Sequence, residues 1–199
     1  MQKYIKKILD IIISISLIII LLPLFIIIAV ILHFTTSGTI FYPWNVIGKD
    51  GIPFTGYKFR TMLIDAEEIK EVLHDSNEMI GPVFKIKNDP RITKVGKYLR
   101  KYSLDELPQL WSVLKGDMSL VGPRPAGTNE WIHYEEWQKR KLSVIPGMTC
   151  LWQVSGRNNI SNFNEWVKLD LEYVDNWTLW LDIKILFKTI PAVLKGTGQ

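Results

Sequence analysis

Ile11 to Leu32 is a run of 22 residues without a single charged side chain. As a helix at about 1.5 Å per residue it measures roughly 33 Å, against a hydrocarbon core of about 30 Å. It exceeds the core of a signal peptide, and no small-residue cleavage site follows it. The segment is therefore expected in a membrane. Pro23 falls near its middle, where it removes a helix hydrogen bond and crowds the preceding turn. A break there leaves two arms of about 12 residues, each near 18 Å and too short to cross alone. Proline kinks also occur in spanning helices. The physics of the segment alone favours a simple span. Lys3, Lys6 and Lys7 lie nearer to it than Lys49, Lys58 and Arg60, which puts the N-terminus in the cytoplasm.

The remaining length, out of 199 residues, suffices for one further domain. Lys and Arg total 24 against 20 acids, a net +4. That excess suits anionic lipid or phosphorylated ligands and also fits nucleic acid. Cys150 is the sole cysteine, which excludes an intramolecular disulfide and points to a reducing compartment. His33, His74 and His133 have no zinc-type spacing.

Beyond the apolar run, Gly48-Lys49-Asp50-Gly51 reads as a hairpin turn between strands Thr39–Ile47 and Ile52–Phe59. Lys58 and Arg60 then share one strand face. Asp65 to Leu73 reads as a short amphipathic helix, and Phe84 to Lys87 as a strand. Arg91, Lys94, Lys97, Arg100 and Lys101 gather just before Ser103-Leu104-Asp105-Glu106-Leu107-Pro108-Gln109. Ser103 and Glu106 have capping-box spacing, which would open a helix with both acids at its positive end. An ionised Asp there serves as nucleophile or hard-cation ligand, or it merely caps the helix. The cations beside it suit a phosphorylated ligand or, equally, a surface salt-bridge network.

Met118 to Val121 reads as a strand running into Gly122-Pro123-Arg124-Pro125, where two prolines hold Arg124 in place. No glycine-rich phosphate loop occurs. Thr128 to Leu142 has the spacing of one amphipathic helix with Trp131, Tyr134 and Trp137, and Met148 to Val154 that of a strand. Phe163, Trp166, Val167, Asp170 and Val174 form a helical stripe that places an acid among apolar residues. Asp170 therefore needs either a buried ion pair or a site. Trp177 to Ile190 is a basic amphipathic helix suited to a membrane surface, ended or kinked by Pro191.

Taken in order, several blocks resemble the bacterial sugar transferases, the monotopic polyprenyl-phosphate phosphoglycosyl transferases. They are Lys58-Phe59-Arg60-Thr61-Met62, Asp89-Pro90-Arg91-Ile92-Thr93, Ser103 to Gln109, Leu114 to Ser119, Gly122 to Pro125, Ser155-Gly156-Arg157-Asn158 and Leu169 to Val174. The resemblance implies transfer of a sugar phosphate from a nucleotide diphosphate sugar to undecaprenyl phosphate, initiating surface glycan assembly. It implies Asp105 as nucleophile and Mg²⁺ ligand, with Glu106 serving the second substrate. Arg100 and Arg124 match anion-binding arginines; Lys58, Arg60, Arg157 and Asp170 join them as substrate-binding candidates. Gly147 to Asn158 is similar to the branch using UDP-hexoses such as glucose or galactose.

The resemblance also implies a re-entrant rather than spanning membrane helix, and the cytoplasmic face of the bacterial inner membrane. The expected fold is α+β. Residues 1–36 form a re-entrant anchor bent near Pro23, and residues 37–199 a small mixed catalytic domain with interfacial helices. UDP-sugar, undecaprenyl phosphate and membrane lipid are the expected partners, and nucleic acid is not. Two departures stand out. Leu22 occupies the place of the family's Ser before the bend proline, and Trp44-Asn45-Val46 replaces a Gln-x-Arg block. Without the additional N-terminal membrane domain of longer members, the chain resembles the minimal form. The rival reading is a membrane-anchored module that binds lipid or nucleotide without catalysis.

Overall fold

A computed structural model describes residues 1–156, 160–196 and 198. Helix α1 runs unbroken from Gln2 to Thr35, through Pro23. Most of its surface is exposed hydrocarbon, including Ile12, Ile15, Ile19, Ile20, Leu22 and Ile26. A helix this long and apolar is a membrane-associating element. Its narrow inner face is what packs against the rest of the chain.

Both ends of α1 are attached to the same domain. Near the start, Lys6 Nζ donates to Asp182 (2.6 Å) and to the Val121 carbonyl (2.9 Å). One turn on, Asp10 accepts from the Ser119 hydroxyl (2.7 Å) and the Leu120 amide (3.2 Å). Ile13, Leu17 and Ile18 then pack on a core of Leu110, Val113, Leu120 and Ile185. Beyond Pro23, Leu24, Phe25, Ile28 and Leu32 pack on a second core with Phe59 and Leu99. Between these two attachments, Ile19, Ile20, Leu22 and Pro23 are exposed.

Strands β1 (Phe41–Ile47) and β2 (Pro53–Phe59) form the expected hairpin, with Asp50 and Gly51 in left-handed conformations at its turn. After helices α2 (Ala66–Val72) and α3 (Lys94–Lys101), a 3₁₀ turn over Leu104–Gln109 leads into α4 (Leu110–Lys115). Strands β3 (Ser119–Val121) and β4 (Ala126–Gly127) flank the Gly122–Pro125 loop. Short helices α5 (Thr128–Trp131) and α6 (Glu136–Lys139) follow, then β5 (Gly147–Thr149), α7 (Leu151–Val154), α8 (Phe163–Asp175) and α9 (Leu179–Leu194). The strands make a three-stranded sheet ordered β2-β1-β4 and a parallel pair β3-β5. The fold is thus mixed α and β behind a long apolar helix.

Four local expectations are corrected. Phe84 to Lys87 is irregular, because Lys85 is held by its amide on the Asn77 side chain (2.9 Å) rather than by a strand neighbour. Thr128 to Leu142 is broken into pieces, since the Glu135 amide is taken by Gln138 (2.8 Å) and a new helix starts there. Met148 to Val154 is a strand only as far as Thr149; Cys150 turns the chain into α7, its amide held by Gln153 (3.0 Å). Pro191 neither ends nor breaks α9, which continues to Leu194. On α9, Trp180, Phe187, Ile190 and Leu194 stand exposed as one apolar stripe, as a membrane-surface helix requires.

Gly147 explains how β5 reaches β3. A Cβ at this position would overlap the backbone of Gly122, so only glycine lets the two strands close. The Gly147 amide then bonds the Pro123 carbonyl (2.9 Å), which fixes the loop carrying Arg124.

Candidate active site

Asp105 and Glu106 sit in the 3₁₀ turn, both buried. The capping box does not form. Ser103 adopts a left-handed conformation (φ 53°), and its side chain caps nothing. Glu106 instead accepts from Lys58 Nζ (2.7 Å) and Arg124 Nη1 (3.2 Å), two charge-assisted partners that outcompete a backbone amide.

Lys58 arrives from β2. In the hairpin register Tyr42 pairs with Lys58 and Trp44 with Gly56, so Lys58 and Trp44 share a face. The small Gly56 leaves room there, and the Lys58 ammonium rests 3.9 Å from the Trp44 ring centroid. Arg124 approaches the same ring (5.5 Å). Trp44 therefore braces two cations that would otherwise repel each other. Burial pulls the Lys58 ammonium below its ordinary pKa, against the pull of Glu106. Burial also opposes the Arg124 charge, but there Glu106 wins and the pKa is raised.

Arg100 reaches the site from α3 and donates from Nε to the Thr61 hydroxyl (2.9 Å). Burial lowers its pKa, while Asp105 is the strongest favourable charge acting on it. Asp89 and Arg91 form a buried fork, with Nε and Nη2 each about one hydrogen bond from a carboxylate oxygen (2.9 and 2.6 Å). Arg60 is anchored to Thr39 through its carbonyl and hydroxyl (both 2.8 Å).

These residues line one cleft of about 570 Å³, a size suited to a small-molecule site. Among the described residues its walls carry seven Lys and Arg against five Asp and Glu, so an anionic ligand fits it. Lys58, Arg60, Arg100, Asp105, Glu106 and Arg124 all meet there. Of the basic cluster before the acids, Arg91 and Arg100 face the cleft, whereas Lys94, Lys97 and Lys101 are not among its lining residues. Arg157 lies outside the described residues. Asp170 is elsewhere: it is fully buried against Lys141 (2.5 Å), beside the stacked Trp152 and Trp166 rings.

Neither Thr61 nor Trp44 stands out in the sequence as a site residue: Thr61 lies in the Lys58–Met62 block, and Trp44 in the block that replaces Gln-x-Arg. The usable signal for Trp44 was cross-strand, since the hairpin register sets it beside Lys58. No comparable local signal marks Thr61, whose partner is 39 residues away.

Gly96 controls how α3 presents Arg100. The Thr93 amide bonds the Thr61 carbonyl (2.9 Å), and a Cβ at Gly96 would overlap that same carbonyl. Gly96→Ala is expected to push α3 outward, costing about 1–3 kcal/mol of stability. Because Arg100 grips Thr61 one turn later, turnover should fall by roughly 10²-fold, as for a reacting group moved by about 1 Å. Paired thermal-unfolding and turnover measurements check both.

The chain matches the Bacterial sugar transferase family model over residues 1–196. It is 54% identical over 162 residues to galactosyl transferase CpsE of Streptococcus agalactiae, covering 81% of this chain and 36% of that protein. It is 46% identical over 206 residues to undecaprenyl-phosphate galactose phosphotransferase of Salmonella typhimurium, covering 99% of this chain and 42% of the other. The exopolysaccharide production protein ExoY of Sinorhizobium fredii is 42% identical over 198 residues, covering 98% of this chain and 87% of ExoY. The chain therefore spans well under half the length of the first two relatives and most of the third. This chain belongs to the bacterial sugar transferase family.

Proposed function

We propose that the protein transfers a sugar phosphate from a UDP-hexose to undecaprenyl phosphate and releases UMP, beginning assembly of a bacterial surface glycan. The observation that carries this reading is the buried Asp105-Glu106 pair inside a cation-rich cleft, on a domain bound along an apolar helix. In the first step an Asp105 carboxylate oxygen attacks the phosphorus bearing the sugar. An aspartyl–phosphorus bond forms, the bridging P–O bond breaks, and its electron pair leaves with UMP. In the second step a phosphate oxygen of the lipid attacks that phosphorus and returns Asp105 as a free carboxylate. Lys58, Arg100 and Arg124 offset the negative charge that gathers when anions meet a carboxylate nucleophile.

Mg²⁺ fits the donor set in one mode. The ion is commonly held by one or two carboxylates plus substrate phosphates, and Asp105 supplies one carboxylate. Among the described residues no group of three or more His, Cys, Asp or Glu forms a metal cluster. The ion would therefore arrive with the diphosphate, and when bound it withdraws charge from the phosphoryl oxygens.

The anchor is re-entrant in this reading, with both ends on the cytoplasmic face of the inner membrane. Its support is that Lys6 and Leu32, at opposite ends of α1, contact one domain. A full span would separate those ends by about 30 Å of hydrocarbon. Cysteines introduced at Gln2 and Ser37 are expected to react with a membrane-impermeant label from the cytoplasmic side only. Labelling from opposite sides refutes the arrangement.

The sugar is a hexose without an N-acetyl group. Relatives named for galactose and for glucose transfer support this choice, including the glucose-1-phosphate transferase of Klebsiella pneumoniae (35% identical over 195 residues). Release of UMP from a panel of UDP-sugars with undecaprenyl phosphate tests the reaction and the sugar together. No release contradicts the enzyme and leaves a binding module. Preference for an N-acetylhexosamine overturns the sugar alone.

A further inference from the structure

Glu106 belongs to two cavities of opposite character. On one side lies the cationic cleft. On the other is a smaller groove of about 190 Å³, to which α1 contributes Leu17, α4 Leu110, β5 Met148, and α9 Leu186, Ala192 and Val193. Several of its polar wall groups are already occupied. The Thr149 and Thr189 hydroxyls bond each other (2.8 Å), Thr189 also bonds the Ile185 carbonyl (2.8 Å), and Gln153 Oε1 accepts the Cys150 amide (3.0 Å). Most of what remains to meet a ligand is hydrocarbon, with Ser103 and Glu106 at the 3₁₀ turn.

We propose that this groove holds the first isoprene units of the acceptor lipid and leads its phosphate past Glu106 to Lys58 and Arg124, the two cations that Glu106 holds. The proposal deepens the transferase reading and rests on it. Three features choose a prenyl chain as occupant. The groove meets the proposed site at Glu106, one wall belongs to the apolar helix α1, and another belongs to α9. On α9 the neighbouring residues Phe187, Ile190 and Leu194 are exposed, so hydrocarbon continues from the groove to the apolar surface.

A chain entering this groove from the bilayer exchanges one hydrocarbon surrounding for another, so burial adds little affinity. The groove acts by orientation. It aims the lipid phosphate at the phosphosugar, and misaiming by about 1 Å is enough to cost 10²-fold in rate.

Ala192→Phe and Met148→Trp each fill the groove and leave Asp105 and Glu106 unsubstituted. Each protein is given UDP-galactose and Mg²⁺ alone, to follow phosphosugar loading, and then undecaprenyl phosphate, to follow its discharge. Loading at the parental level with lipid-dependent discharge slowed about 10- to 100-fold is the expected result. The same slowing is expected with geranyl phosphate, since only the first isoprene units lie in the groove. Loading also reports that each variant is folded. Parental discharge in both variants would overturn the proposal, and so would equal loss of loading and discharge, which marks a disturbed 3₁₀ turn. A parent protein that neither loads nor releases UMP would instead overturn the underlying transferase reading.

Discussion

Asp105→Asn is expected to leave a folded protein with turnover reduced on the order of 10⁴-fold or more, the scale on which enzymes lose a nucleophile. An amide oxygen neither attacks phosphorus nor holds a cation as a carboxylate does. The substitution is nearly isosteric, and Glu106 keeps its bonds to Lys58 and Arg124, so unfolding should move little. Glu106→Gln is expected to differ. It loosens both cations and impairs lipid-dependent turnover, while some loading of Asp105 survives. Comparing UMP release with and without lipid for the two variants separates the roles.

Asp170→Ala should be the most destabilising of the substitutions considered. Lys141 is fully buried, and its ammonium lies 2.5 Å from Asp170 and 4.9 Å from the Trp166 ring. Removing the carboxylate strands a cation in the core, at a cost of about 3–5 kcal/mol. For a domain of this size that lowers the unfolding midpoint by roughly 10 °C. Replacing both members, with Lys141→Met and Asp170→Leu, should recover most of the loss, because the pair itself contributes little net stability. A substrate-binding Asp170 predicts the reverse pattern. Asp170→Ala would then unfold normally and lose activity, and the double variant would not regain it.

These two acids also show where the sequence was legible. Asp170 announced itself, because a carboxylate within an apolar helical stripe requires a partner. Its partner was hidden, because Lys141 stands among Lys139 and Arg140 and reads as another surface cation. Only the break of the Thr128–Leu142 segment at Glu135 turns Lys141 inward.

The Asp105-Glu106 pair was legible as chemistry and misread as conformation. Ser103 and Glu106 satisfy the capping pattern, yet partners 48 and 18 residues away claim the Glu106 side chain. Local spacing carries no information about such contacts. Hairpin geometry was readable because turn residues act locally: Gly48 to Gly51 specified the turn, and the strand alternation specified the Lys58 face. Helix α1 was readable as apolar for the same reason. Its attachment through Lys6 and Asp10 depends on β3 and α9, more than a hundred residues further along.

The central claim is that Asp105 carries the sugar phosphate between two half-reactions. Intact-mass analysis of the protein incubated with UDP-galactose and Mg²⁺, without lipid, tests it most directly. The account predicts a single added hexose phosphate, mapped to Asp105, that undecaprenyl phosphate discharges. An adduct on another residue, or full lipid-dependent turnover by Asp105→Asn, would contradict it.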